Sequence, residues 1–202
     1  MRRSARLWGV GTLLALGAAL LLLTTFASAA SSSGAQHVRW DIIHVTGGRP
    51  GPGATVSPGG TASATAPNGD TITLTGSGHF VAPASGGGSG AVDGGGTYTT
   101  SGGESGTYTV TALVDWEFAN YQADIGLIDT IDEGRAANGN AVLKIAFSDG
   151  SQGVLTVGCH GPGAPPGIFE GIATTKGYKT YYNVQPPSSG VDANRTTFHV
   201  RQ

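Results

Sequence analysis

The chain has 202 residues, with 35 glycines and 10 prolines, 39% hydrophobic residues, only 12% charged residues and a formal net charge of −2. Low charge with ample apolar content excludes a solvated, charge-rich coil, and the lack of a Gly-X-Y period excludes a collagen-like rod. Cys159 is the single cysteine, so no internal disulfide can staple the fold and core packing has to hold it.

Arg2, Arg3 and Arg6 precede an uncharged run over residues 7–30 whose most apolar part is 10–26, and Ala27-Ser28-Ala29 has the small-x-small form of a cleavage site. A positive start, an apolar core and small residues at its end predict a signal peptide over 1–30. The alternative is an uncleaved N-terminal anchor, because the apolar core falls between the two usual lengths. Either way the remainder is expected to be secreted or displayed at the cell surface, with no later membrane span. Without residues 1–30 the chain carries 8 Lys and Arg against 13 Asp and Glu, a net charge of −5. Such a surface disfavours nucleic acid as a partner.

A flexible polar linker is expected over 31–36 and a single β domain over 37–202. Residues 38–45 alternate as a first strand whose two faces are both apolar enough to be covered. Gly47, Gly48, Pro50, Gly51, Pro52, Gly53, Pro58, Gly59 and Gly60 predict a glycine-rich loop over 46–60. Segments 61–66 and 70–75 flank Pro67-Asn68-Gly69, a hairpin signal, because Asn-Gly tolerates positive φ. A second glycine-rich loop is expected over 84–96. Gly86-Gly87-Gly88 and Gly94-Gly95-Gly96 lack the Lys-Ser/Thr and the helix of a phosphate loop.

Gly-Thr-Tyr-Thr stands at 96–99 and again at 106–109, which reads as two paired strands. Over 107–118 the residues Tyr108, Val110, Ala112, Val114, Trp116 and Phe118 alternate with mostly polar ones, a sustained period of two. Leu127, Ile128 and Ile131 allow at most one short helix near 125–137 before Gly134 and Gly139 end it. A third hairpin is expected from 142–148 and 153–159 around Asp149-Gly150, one or two strands within 168–184, and a closing strand over 196–201. The fold class is all-β, a hairpin-rich antiparallel sandwich or barrel of about nine strands.

Four constellations carry chemistry. Cys159 and His160 could form a thiolate–imidazole pair oriented by Glu170, provided the strand breaks at the glycines around them. Asp115 and Glu117, two apart on the long strand, have the same-face placement of paired carboxylates in a glycosidase. Asp124, Asp129, Asp132 and Glu133 lie in a run without a base and could ligate calcium, although the spacing of an EF-hand is missing. Tyr178, Tyr181 and Tyr182, interleaved with Lys176 and Lys179, could stack on a glycan, or equally form a lysine-guarded strand edge. Each constellation also has a structural explanation: a cysteine filling the core, hydrogen-bonded strand histidines, a solvated acidic loop. Asn194-Arg195-Thr196 matches the glycosylation acceptor pattern.

The expected function is an exported, non-catalytic β-domain that binds a glycan or another cell-envelope component. A secreted hydrolase using Cys159, His160 and Glu170 or the Asp115/Glu117 pair is one alternative, and a calcium-stabilised extracellular domain is another. No cofactor other than calcium is implied, and the residues do not define an oligomeric state.

Overall fold

A computed structural model describes residues 34–47, 51–83, 88–184 and 194–202; the leader expected over 1–30 lies outside them, as do residues 31–33 of the linker. Among the described residues every regular element is a strand: β1 (Gln36–Thr46), β2 (Thr55–Pro58), β3 (Ala62–Thr65), β4 (Thr71–Leu74), β5 (Ser77–Ala82), β6 (Val92–Thr100), β7 (Ser105–Tyr121), β8 (Ile128–Asp129), β9 (Arg135–Phe147), β10 (Gln152–Cys159), β11 (Gly171–Lys176), β12 (Lys179–Asn183) and β13 (Thr196–Arg201). The all-β class holds, with thirteen strands where about nine were expected.

Turn chemistry builds the hairpins. β3 meets β4 with Thr65 opposite Thr71, and Gly69 in the turn takes φ +87°. β6 and β7 are joined through Gly103, and β9 and β10 through Gly150, both also at φ +87°. In the last of these turns Asp149 Oδ1 accepts the Ser151 N–H at 2.9 Å, the local bond that favours aspartate at such sites.

Antiparallel pairing then closes on itself. β3, β4, β6, β7, β9, β10, β11 and β12 follow one another around a ring, and Tyr182 of β12 opposite Thr65 of β3 completes it. Closure leaves this ring without an edge. The other edges of β6 and β9 change partner partway: β6 pairs β5 through Val92–Gly95 and β4 through Tyr98–Thr100, while β9 pairs β13 and then β10. With β1 bridging β5 and β13, a six-strand ring shares β6, β7 and β9 with the first. Gly96 stands where β6 changes partner, and a Cβ there would lie 1.9 Å from the Thr75 carbonyl oxygen. Only glycine allows the chains to approach that closely. One core runs through both rings, with Trp40, Phe80, Tyr108, Leu143, Leu155 and Phe198 fully buried within it.

Five expectations change. The short helix near 125–137 is replaced by an irregular segment, the two-residue β8 and the start of β9. Positive φ at Gly126, Asp132 and Gly134 breaks any helical repeat, and Asp124 and Asp129 bond the N–H two residues ahead instead of opening a helix. Leu127 and Ile131 pack on a satellite cluster of Ile43, Val45, Ala54 and Val56, so their spacing reflects tertiary contact. Within 46–60, β2 forms by pairing with the end of β1, despite the surrounding glycines and prolines. Within 84–96, β6 starts at Val92 and Ser89 bridges Leu113. The linker stops short of residue 36, because Gln36 begins β1 and its Oε1 accepts the Trp116 Nε1–H at 2.7 Å. Finally, the alternation over 107–118 is broken by register shifts at Val110/Ala112 and Leu113/Asp115. These bulges turn Leu113 inward with Tyr108, Val110 and Trp116, and leave Val114 39% exposed.

The glycosylation pattern at 194–196 is used structurally. Asn194 is buried, with its Oδ1 accepting the Ser63 N–H.

Candidate functional site

Beyond Ile42, β1 leaves the barrel and pairs with β2, which in turn takes β8 in parallel. Gly60 crosses β1 here, donating its N–H to the Ile42 carbonyl at 3.1 Å; a Cβ on it would meet the Ile43 carbonyl oxygen at 1.8 Å. The result is a small flap, apolar toward the barrel through Ile43, Val45 and Val56. Between flap and barrel lies a cleft of about 790 Å³, whose remaining walls come from the 122–129 segment, the start of β9, the turn after β10 and residues 195–197.

Buried polar contacts hold the barrel side of this cleft. Asn138, fully buried where β9 changes partner, donates to Asn120 Oδ1 at 2.9 Å and accepts the Gly161 N–H at 2.8 Å. Ala123 N–H donates to the Pro162 carbonyl at 2.9 Å, tying the 122–124 segment to the turn at 160–163. Glu170 then joins two walls: its Oε2 accepts the His160 N–H at 2.6 Å, and its Oε1 the Thr196 N–H at 2.8 Å. Burial is the main influence on this carboxyl and pushes its pKa up to about 7, although the two amides and the nearby Arg195 favour its charge. The folded chain therefore holds this proton more tightly than the unfolded one. Glu170 contributes stability in acid that is lost as pH rises from its ordinary value toward 7.

The first constellation is only partly assembled. Cys159 is 1% exposed; its Sγ accepts from Gln122 Nε2 at 3.3 Å, and burial pushes the thiol well above its usual range. A neutral buried thiol is a poor nucleophile. The His160 ring bonds the Ile168 carbonyl through Nδ1 at 2.7 Å, away from the thiol, while its backbone meets Glu170. His160 and Glu170 share the cleft. Asp115 and Glu117 are exposed on β7, opposite Val142 and Asn140, and neither lines the cleft.

The tyrosines separate. Tyr178 is fully exposed beside Gly177 in the β11–β12 turn and Tyr182 is exposed on β12, whereas Tyr181 is 3% exposed within the core. The four acids also separate. Asp124 and Asp129 reach the cleft, Asp132 occupies a positive-φ position, and Glu133 bonds Arg39 and His79. Among the described residues no three His, Cys, Asp or Glu side chains are grouped to hold a metal ion.

Sequence reasoning did not single out Arg195, Gln122 or Asn138; it read His79 and His199 as hydrogen-bonded strand histidines, which they are, without naming their partners. His199, fully buried on β13, meets Asp129 Oδ2 through Nε2 at 2.5 Å. His79 meets Asp93 Oδ1 at 2.9 Å and Glu133 Oε2 at 3.0 Å, beside a second hollow of about 300 Å³. These partners lie 14 to 70 residues apart, so no local spacing could reveal them. Burial opposes the His79 imidazolium, but its bonds to Asp93 and Glu133 outweigh it and raise the pKa; bonding from His79 lowers that of Glu133. A raised histidine stabilises in acid and is lost as pH climbs past its folded value, whereas a lowered carboxylate is lost as pH falls. The pair is thus complete between the ordinary values of 4.5 and 6.5. Amide protection factors of Ile128 and Thr130 are expected to peak there and to drop a few-fold on either side, since half-exposed pairs are screened. A profile flat in pH would show that the pair does not hold this segment.

No family model, curated protein or solved structure matches the chain. Among the described residues no helix is long and apolar enough to cross a membrane.

Proposed function

We propose that the chain is an exported, non-catalytic binding domain whose cleft takes an amphipathic small molecule. The observation that carries this is the cleft: about 790 Å³, apolar along the flap and polar along the barrel through Glu170, Arg195 and Gln122. Small-molecule sites have this volume and this pairing of apolar walls with a few placed polar groups. Rigid strands on the barrel side and buried hydrogen bonds beneath it favour a preformed site, which lowers the ordering cost of binding. Export is supported by the charged start, apolar run and small-residue site of residues 1–30. Tyr178 in the β11–β12 turn and Tyr182 near the end of β12 remain exposed for a glycan contact, without Tyr181.

A second reading, hydrolysis, is favoured by Glu170 alone: a buried carboxyl poised near neutrality in a cleft has the profile of an acid–base catalyst. One set of preparations separates the two. Nile red, a neutral apolar dye, is expected to bind the purified protein with a blue-shifted emission. Ile125→Trp, which fills the cleft from a half-exposed position, is expected to abolish that binding without changing the melting temperature. Chromogenic esters and glycosides offered to the same samples are expected to remain intact. Dye binding untouched by Ile125→Trp would overturn the cleft as the site, and turnover lost in Glu170→Gln would replace binding with catalysis.

A further inference from the structure

We propose that the cleft selects a monocarboxylate amphiphile, with the acid group seated on Arg195 and the hydrocarbon part against Ile43, Val56 and Leu127. This rests on the cleft being the binding site. Arg195 is half-buried at the cleft wall, and its side chain makes no ion pair or hydrogen bond among the described residues. The other arginine lining the cleft, Arg135, is exposed and lies 3.8 Å over the Tyr121 ring. Arg39 and Arg201 are committed to Asp41 and Glu133. Among the described residues Arg195 is thus the lining arginine with neither an ion pair nor a ring contact.

The carboxyl of Glu170 stands near enough for Arg195 to favour its charge, but the two side chains form no ion pair, and the Glu170 oxygens accept the backbone N–H groups of His160 and Thr196. A guanidinium offers a planar fork of donors that a carboxylate matches with two bonds.

The backbone around Arg195 is clamped on both sides. Asn194 N–H donates to the Thr61 carbonyl at 2.9 Å, and the Arg195 carbonyl accepts the Ile43 N–H at 2.9 Å. Thr196 donates its N–H to Glu170 and its hydroxyl to the Gly158 carbonyl at 2.5 Å. The guanidinium therefore projects from a segment bonded to the flap through Ile43 and to the barrel through Gly158. Such pre-organisation favours a directional ligand over a diffuse counterion.

The other charges in the cleft set the ligand's valence. Asp124 and Asp129 also line it, the first bonded to the Gly126 N–H and the second to His199. Their negative charge opposes a second anionic group, which favours a monoanion with an apolar body. The flap supplies the surface for that body, whose burial against it removes apolar area from water.

The test is calorimetric titration of the purified protein at pH 7.5 with dodecanoate, dodecanol and dodecylammonium, each below its aggregation threshold. Dodecanoate is expected to bind about tenfold or more tightly than dodecanol, the worth of one charge-assisted contact, and dodecylammonium more weakly than either. Arg195→Met is expected to erase the preference for the acid while retaining Nile red, and Arg195→Lys to restore part of it. Retained dye binding shows that each variant is folded. Equal affinity for dodecanoate and dodecanol in the wild type, or an unchanged preference in Arg195→Met, would overturn the monocarboxylate assignment and leave the cleft intact. Failure of the wild type to bind Nile red or any of the three chains would overturn the cleft as well.

Discussion

Replacing Arg39 with methionine is expected to lower the unfolding free energy by about 3–5 kcal/mol, the usual cost of removing one partner from a buried ion pair. Asp41 is fully buried, and Arg39 meets it with Nε at 2.8 Å and Nη2 at 2.9 Å. The two residues stand two apart on β1, so alternation puts both on the face away from Trp40. That face is covered: His199 lies opposite Arg39 and Thr197 opposite Asp41 on β13, and Arg39 also bonds Glu133. Methionine replaces the volume of the arginine stem but leaves the Asp41 carboxylate with neither water nor counterion, and burial of an unpaired charge is costly. Urea titration of wild type, Arg39→Met and the double variant with Asp41→Asn would measure the loss. The double variant is expected to recover at least about 1 kcal/mol, because it removes the stranded charge. Equal stability of wild type and Arg39→Met would show that the pair contributes nothing.

Trp116→Ala is expected to cost a similar amount, about 3–5 kcal/mol, whereas Val114→Asp is expected to stay within about 0.5 kcal/mol. Trp116 packs edge-on against Phe198 with ring centroids 4.6 Å apart and against Phe80 at 5.4 Å, and its Nε1–H is bonded to Gln36. Removing the indole opens a cavity between the two rings and strands an acceptor. Val114 belongs to the same alternating series in the sequence but faces solvent, because the bulge at Leu113/Asp115 shifts the register between the two positions. Denaturant midpoints for the two variants test that bulge directly. A severe loss from Val114→Asp would mean that the alternation runs unbroken and that both side chains point inward.

The histidine–carboxylate bonds of the 122–134 segment link stability to the proposed site. Asp129 lines the cleft and is held by His199, while Glu133 is held by Arg39 and His79. Burial works against the Asp129 carboxylate, yet its bonds to His199 and to the Ile131 N–H leave its pKa lowered. The wall of the cleft is thereby fastened to β1, β5 and β13 by side-chain bonds, and to the flap by the parallel pairing of β8 with β2. Arg39→Met releases one of these fastenings and is expected to weaken dye binding along with stability.

Local chemistry determined much of this protein. The period of two and the threonine-rich, β-branched segments specify strands, and Asn68-Gly69, Gly103 and Asp149-Gly150 specify hairpins, because side-chain alternation and turn dihedrals are properties of a few adjacent residues. The pairings at 62–74, 95–109 and 139–159 follow from them. The absence of a second cysteine likewise required a packed core, and Cys159 is part of it. Tertiary structure alone decided the rest. Closure between Tyr182 and Thr65, the partner exchange on β6 and β9, and the bulges of β7 depend on strands that meet only after the chain has folded. Leu127 and Ile131 show the same limit: their helical spacing was overruled by packing on the flap. The candidate site belongs to this second class. Glu170, Arg195, Gln122 and Ile43 come from distant segments, and what makes them a site is a shared cleft, the burial of one carboxyl and a guanidinium without an ion pair among the described residues. Those properties arise from the surroundings of a residue in space, which no run of neighbouring residues encodes.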